Sequence, residues 1–169
     1  MVAESPGACN DSVNLFDCGI TIPSHSTTAL DAAGNRQPQM GGVYDNTVTG
    51  NRIFGNGVLG EGAGVLIAAA GPGGAAYHNR VIGNVISGNE MAGVTIHSHA
   101  PNQDVSDNVI AGNNIGPNNL GGDPDFPDAQ TTGILVGSAV VSVSVTIDQN
   151  NIHGNAVDVF HTANVTVNS

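Results

Sequence analysis

A chain of 169 residues is about the length of one domain, and 14 acidic residues against 3 arginines and no lysine give a formal charge of −11. Such a surface repels nucleic-acid phosphates and anionic lipid, and disfavours polyanionic glycans unless a cation bridges them. Aromatic residues are 4%, Trp is absent and no run reaches the roughly 18 apolar residues of a membrane span, so stacking platforms and membrane insertion are not expected.

Residues 1–42 match nothing later in the chain and read as an N-terminal cap, with a possible first coil in "VNLFDCGITI". Within it, "CNDSVNLFDC" places Cys9 and Cys18 close enough in sequence to close a short disulfide loop, which would imply an oxidising compartment. Two free thiols are the alternative. No neighbouring ligands suggest zinc, and no basic-then-apolar signal peptide opens the chain.

Residues 43–169 repeat. Four segments align without gaps: "VTGNRIFGN" from Val48, "VIGNVISGN" from Val81, "VSDNVIAGN" from Val105 and "IDQNNIHGN" from Ile147. Each is followed by a second short element, "GVLI" at Gly64, "GVTI" at Gly93, "GILV" at Gly133 and a degraded "DVFH" at Asp158. On this alignment Asn51, Asn84, Asn108 and Asn150 are 33, 24 and 42 residues apart, so a unit of 24 carries loops of variable length. Apolar residues alternate within the blocks, which is strand periodicity.

Short strands separated by Gly-Asn corners in a unit of this size predict an all-β solenoid with equivalent positions stacked about 4.8 Å apart. Three inward columns are expected: Val48, Val81, Val105 and Ile147; Ile53, Ile86, Ile110 and Ile152; and Val65, Val94, Ile134 and Val159. Asn51, Asn84, Asn108 and Asn150 are expected at one corner and Asn56, Asn89, Asn113 and Asn155 at the next, where the amide can bond backbone and Asn tolerates a left-handed φ. "NVTVNS" stops while still reading as a strand, which predicts continuation or self-association through the C-terminal coil.

The pattern Gly-Asn-x-Ile-x-Gly-Asn followed by Gly-Val-x-Ile resembles the repeat of the pectin-lyase-like superfamily. The resemblance covers residues 43 to about 167 and implies a right-handed parallel β-helix, here of about five short coils, in a superfamily whose members bind or cleave carbohydrates.

Chemistry concentrates in "GVTIHSHAP". If Val94 and Ile96 point inward, Thr95, His97 and His99 point outward, with Leu135 beside Thr95 and with Ala68 and Gly137 beside His97. Small neighbours leave room for a ligand, so Thr95, His97, His99 and Leu135 form the candidate binding face. A metal on the two imidazoles is weighed against histidines that merely face water, because no His, Cys or carboxylate occupies the flanking positions. The long insertion "NIGPNNLGGDPDFPDAQTT" brings Asp123, Asp125 and Asp128 into one loop expected to overhang this face, where they could hold Ca²⁺ or, with Asp128 beside the histidines, act as catalytic carboxylates. The EF-hand spacing is absent, and a solvated acidic loop is the alternative.

What the resemblance implies about catalysis meets gaps in this sequence. Pectate lyases of the superfamily use Ca²⁺ and an arginine base, yet Arg52 and Arg80 stand beside corners with no acidic cage. The Asp triad, Gly-His-Gly and Arg-x-Lys of the hydrolases are absent, as is the Tyr-and-His signature of the alginate epimerases, although "DPDFPD" is faintly similar to their Asp-Pro. No nucleophile elbow, phosphate loop or dinucleotide fingerprint occurs. Asn10-Asp11-Ser12 and Asn164-Val165-Thr166 fit the N-glycosylation pattern. The expectation is a secreted or cell-surface module that binds glycan or serves structure, with carbohydrate or another protein chain as partner, no nucleic acid, and no cofactor required beyond a possible Ca²⁺. A polysaccharide lyase or glycoside hydrolase, using His97, His99 and the Asp123–Asp128 loop as acid, base or cation ligands, is one alternative; an end-to-end, fibre-forming solenoid is the other.

Overall fold

The computed structural model describes residues 2–3, 19–57, 62–121 and 130–169. They form no helix, and every pairing between named strands is parallel. Three five-stranded sheets carry the chain. The first contains β4 (Thr47–Thr49), β8 (Arg80–Ile82), β11 (Val109–Ala111), β14 (Val143–Asp148) and β17 (Val165–Asn168). The second contains β1 (Val2–Ala3), β5 (Arg52–Phe54), β9 (Val85–Ser87), β12 (Asn114–Ile115) and β15 (Asn151–Ile152). The third contains β2 (Ile20–Ser24), β6 (Val65–Ala69), β10 (Val94–Ser98), β13 (Thr132–Gly137) and β16 (Val157–His161). A small pair joins β3 (Val43–Tyr44) to β7 (Ala76–Tyr77).

From β4 onward the chain visits the first, second and third sheets in turn and then begins again, an arrangement compatible with a β-helix. The interior is filled by stacked aliphatic side chains. Val48, Val81, Ile110 and Ile147 are in register in the first sheet, and Ile53, Ile86, Ile115 and Ile152 in the second. In the third, Ile20, Val65, Val94, Ile134 and Val159 are in register. Most are fully buried, and all belong to one apolar cluster.

The third column is the one expected, extended backwards by Ile20, so the "GITI" end of the predicted cap joins the sheet. The first two columns are corrected. Val81 pairs with Ile110, where the gap-free alignment had Val105, and Ile86 pairs with Ile115, where it had Ile110. The third repeat slides by five residues, and the circuits are 33, 29 and 37 residues long. The cause lies inside each circuit, where asparagines recur every fifth residue (46, 51 and 56; 79, 84 and 89; 108, 113 and 118), so the motif matches itself one pentad out of step. Val105 is fully buried, but one pentad upstream of the first column.

Three asparagine ladders result, one more than expected. They run through Asn46, Asn79 and Asn108; through Asn51, Asn84, Asn113 and Asn150; and through Asn56, Asn89, Asn118 and Asn155. In the middle ladder Asn84 Oδ1 accepts from the backbone N–H of Asn51 (3.0 Å) and from its Nδ2 (3.1 Å), while Asn84 Nδ2 donates to Val48 O (2.9 Å) and Asn113 Oδ1 (3.0 Å). Each amide thereby replaces the strand hydrogen bonds that a corner would otherwise lose. The left-handed φ falls on the residue before the Asn rather than on the Asn itself: Gly50, Gly83, Gly112 and Gln149 in this ladder, and Asp45, His78 and Asp107 in the upstream one.

The glycine opening each third-sheet element has a different cause. A Cβ on Gly93 would stand 2.8 Å from Asn118 Nδ2 and 2.9 Å from Gly133 O, and Gly64 and Gly133 are as tightly enclosed. Only a bare backbone passes there. Asp158 takes the equivalent place in the degraded copy, where no further described circuit crowds it.

Candidate functional site

His97 stands on β10 with Ala68 of β6 on one side and Gly137 of β13 on the other, as the register expectation required. His99 lies just past the strand end. The turn beneath it is fixed by Gln103, whose Oε1 accepts from the backbone N–H groups of His99 (2.7 Å) and Ala100 (2.8 Å) and whose Nε2 donates to Gly71 O (2.9 Å). Nearly buried itself, Gln103 ties this turn to the preceding circuit.

The two imidazoles touch, their centroids 4.5 Å apart and their planes at 60°. His99 is exposed and His97 half-buried, and neither ring has a hydrogen-bond partner among the described residues. Burial, and then the neighbouring His99, push the His97 imidazole down to about 4, so it stays neutral through the ordinary pH range. The outward position one step back along β10 and β13 is closed. Thr95 is 1% and Leu135 8% exposed, in a closed outer layer where Leu66, Ala68, Met91, Ala92 and Leu135 pack with Phe160. Thr95 and Leu135, expected with His97 and His99 on the outward binding face, form the buried floor beside the histidines. Thr95 Oγ1 is buried with no hydrogen-bond partner among the described residues.

Asp123, Asp125 and Asp128 lie outside the described residues, and so do Cys9, Cys18 and Asn10. The expected Ca²⁺ ligands, catalytic carboxylate and disulfide all fall there. Among the described residues no group of three or more His, Cys, Asp or Glu could hold a metal ion. At the other glycosylation motif, the Asn164 amide donates to Ser138 O (2.9 Å) and to Val140 O, so the side chain is spent on the fold.

Two features escaped the sequence. Arg36 reaches from the N-terminal segment to Asp104 (Nε–Oδ2 2.6 Å) and Asp107 (Nη2–Oδ2 2.8 Å), its guanidinium 4.0 Å above the Tyr77 ring, which in turn stacks on Tyr44. His78 stands 3.5 Å from Asp107 and 3.9 Å from Asp45, and its Nε2 lies 3.3 Å from Arg36 Nη1. The link is legible only once Asp45, His78 and Asp107 are known to stack. The second is a shallow groove on the outer face of the second sheet, lined by Arg52, Phe54, Val85 and Ser87 and continuing to Asn114 and His153.

No family model, no curated protein and no solved structure matches the chain. The likeness to the pectin-lyase-like superfamily therefore rests on the repeat motif alone.

Proposed function

We propose that the chain is a right-handed parallel β-helix module, exported from the cell, that binds a neutral glycan without cleaving it, through His97 and His99. The observation that carries this reading is the C-terminal end of β10, the central strand of the third sheet. There two touching imidazoles, with no hydrogen-bond partner among the described residues, border an apolar layer of Leu66, Leu135 and Phe160. An imidazole can donate from one nitrogen and accept at the other, which matches sugar hydroxyls, while its ring and the small Ala68 and Gly137 beside it leave space for a sugar face. The charge of −11 favours a neutral ligand over an acidic one. A non-catalytic role is favoured because the sequence carries neither the Gly-His-Gly nor the Arg-x-Lys of the superfamily's hydrolases.

Calorimetric titration with neutral and acidic oligosaccharides, with and without Ca²⁺, tests the proposal, run beside a chromatographic check for products. Binding of a neutral oligosaccharide without products, lost in the His97→Ala/His99→Ala double variant, is the expected result. Product release that depends on the histidines would replace this reading with a carbohydrate-active enzyme. Silence across the panel, with the variant still folded, would leave a purely structural module.

A further inference from the structure

Two histidines two residues apart at the end of one strand present their rings to the same side, a spacing that lets both reach one cation. The distance between them allows this. A cation about 2.0–2.1 Å from a ring nitrogen lies about 3.2 Å from the ring centroid, so two imidazoles at 90° have centroids about 4.5 Å apart and two at the tetrahedral angle about 5.2 Å. The observed separation is 4.5 Å. We propose that His97 and His99 form a cis two-imidazole site for a divalent transition cation of tetragonal preference, Cu²⁺ above Ni²⁺ and Zn²⁺, with the remaining positions open to water or an added ligand.

Availability points the same way. His99 is exposed, and neither ring is held by another described side chain or carbonyl. The other described histidines that make contacts are committed elsewhere: His78 beside Arg36, His153 through Nε2 to Asn114 Oδ1 (2.9 Å) and His161 through Nδ1 to Thr162 O (3.1 Å). The negative chain concentrates cations at its surface. With no third protein ligand and no orienting partner for either ring among the described residues, the site binds more weakly than a closed structural site.

The test uses the full chain and copper(II) sulfate alone, with no sugar present, so its outcome is separate from glycan binding. Equilibrium dialysis and electron paramagnetic resonance at pH 7.5 are expected to give one Cu²⁺ per chain, with hyperfine structure from two nitrogens. His97→Ala and His99→Ala are each expected to weaken binding at least tenfold, and His153→Ala to leave it unchanged. Affinity unmoved by both single variants, or a spectrum reporting one nitrogen only, would overturn the site. Should His97→Ala fail to fold, the exposed His99→Ala carries the comparison by itself.

Discussion

The corners between the first and second sheets and the outer face of the third sheet belong to the same repeating chain but obey different constraints. At the corners each asparagine is held by its counterparts in adjacent circuits. Asn84 is 1% exposed and satisfies three partners at once, so its side chain could be almost nothing else. On the outer face of the third sheet successive circuits place Leu66, Thr95, Leu135 and Phe160 at one position and Ala68, His97 and Gly137 at the next. No rule of stacking links these residues, and one of them, Thr95, carries a buried hydroxyl without a described partner. Where the fold dictates the side chain, the chain repeats; where it does not, a function has room to be written.

The largest effect is expected at the corner. Asn84→Ala removes the acceptor for Asn51 and the donor to Val48 O and Asn113 Oδ1, and should cost about 3–5 kcal/mol, read from the denaturant midpoint. A cost under about 1 kcal/mol would mean that water replaces the ladder without loss. The outer face should respond with smaller changes and, at one site, with the opposite sign.

His97 supplies the pH dependence. Its folded value of about 4 lies below the ordinary 6.5, so between these values the unfolded chain takes up a proton that the folded chain refuses. Stability is therefore complete above pH 6.5 and falls as the pH drops towards 4, by about 1–3 kcal/mol after allowance for the solvent that reaches the half-buried ring. Among the described residues the titratable group set against the ring is His99; the flanking Ala68 and Gly137 carry no charge. His97→Gln should flatten that slope, and an unchanged slope in urea titrations at pH 4.5 and 7 would place the proton elsewhere. Thr95→Val, which removes the unpartnered hydroxyl while keeping the shape, should raise stability by about 1 kcal/mol in the same measurement. A loss of stability there would mean that the hydroxyl has a partner.

The fold was legible because its signal is periodic. Alternating aliphatics and recurring Gly-Asn pairs announced parallel stacked strands, and the Val65, Val94 and Ile134 column was placed correctly. The slip at the third repeat followed from the same regularity: a five-residue period inside each circuit makes two alignments nearly equivalent, and only the strand hydrogen bonds choose between them. Asn118 and the ladder through Asn46, Asn79 and Asn108 were missed for this reason. At the site, the outward direction of His97 and its small neighbours followed from strand alternation. The burial of Thr95 and Leu135 did not, because it depends on an outer apolar layer that includes Met91 and Ala92, which have no place in the strand pattern. The Arg36 cluster was hidden because its partners lie 42 to 71 residues away and carry no motif.

The most direct measurement is a proton–carbon correlation spectrum of the imidazoles recorded during titration with a neutral oligosaccharide. The chain has 6 histidines, each an internal reporter. Saturable shifts confined to His97 and His99, with His25, His78, His153 and His161 unmoved, are the predicted result. Shifts at His153 with the pair unmoved would transfer binding to the groove of the second sheet and contradict the account.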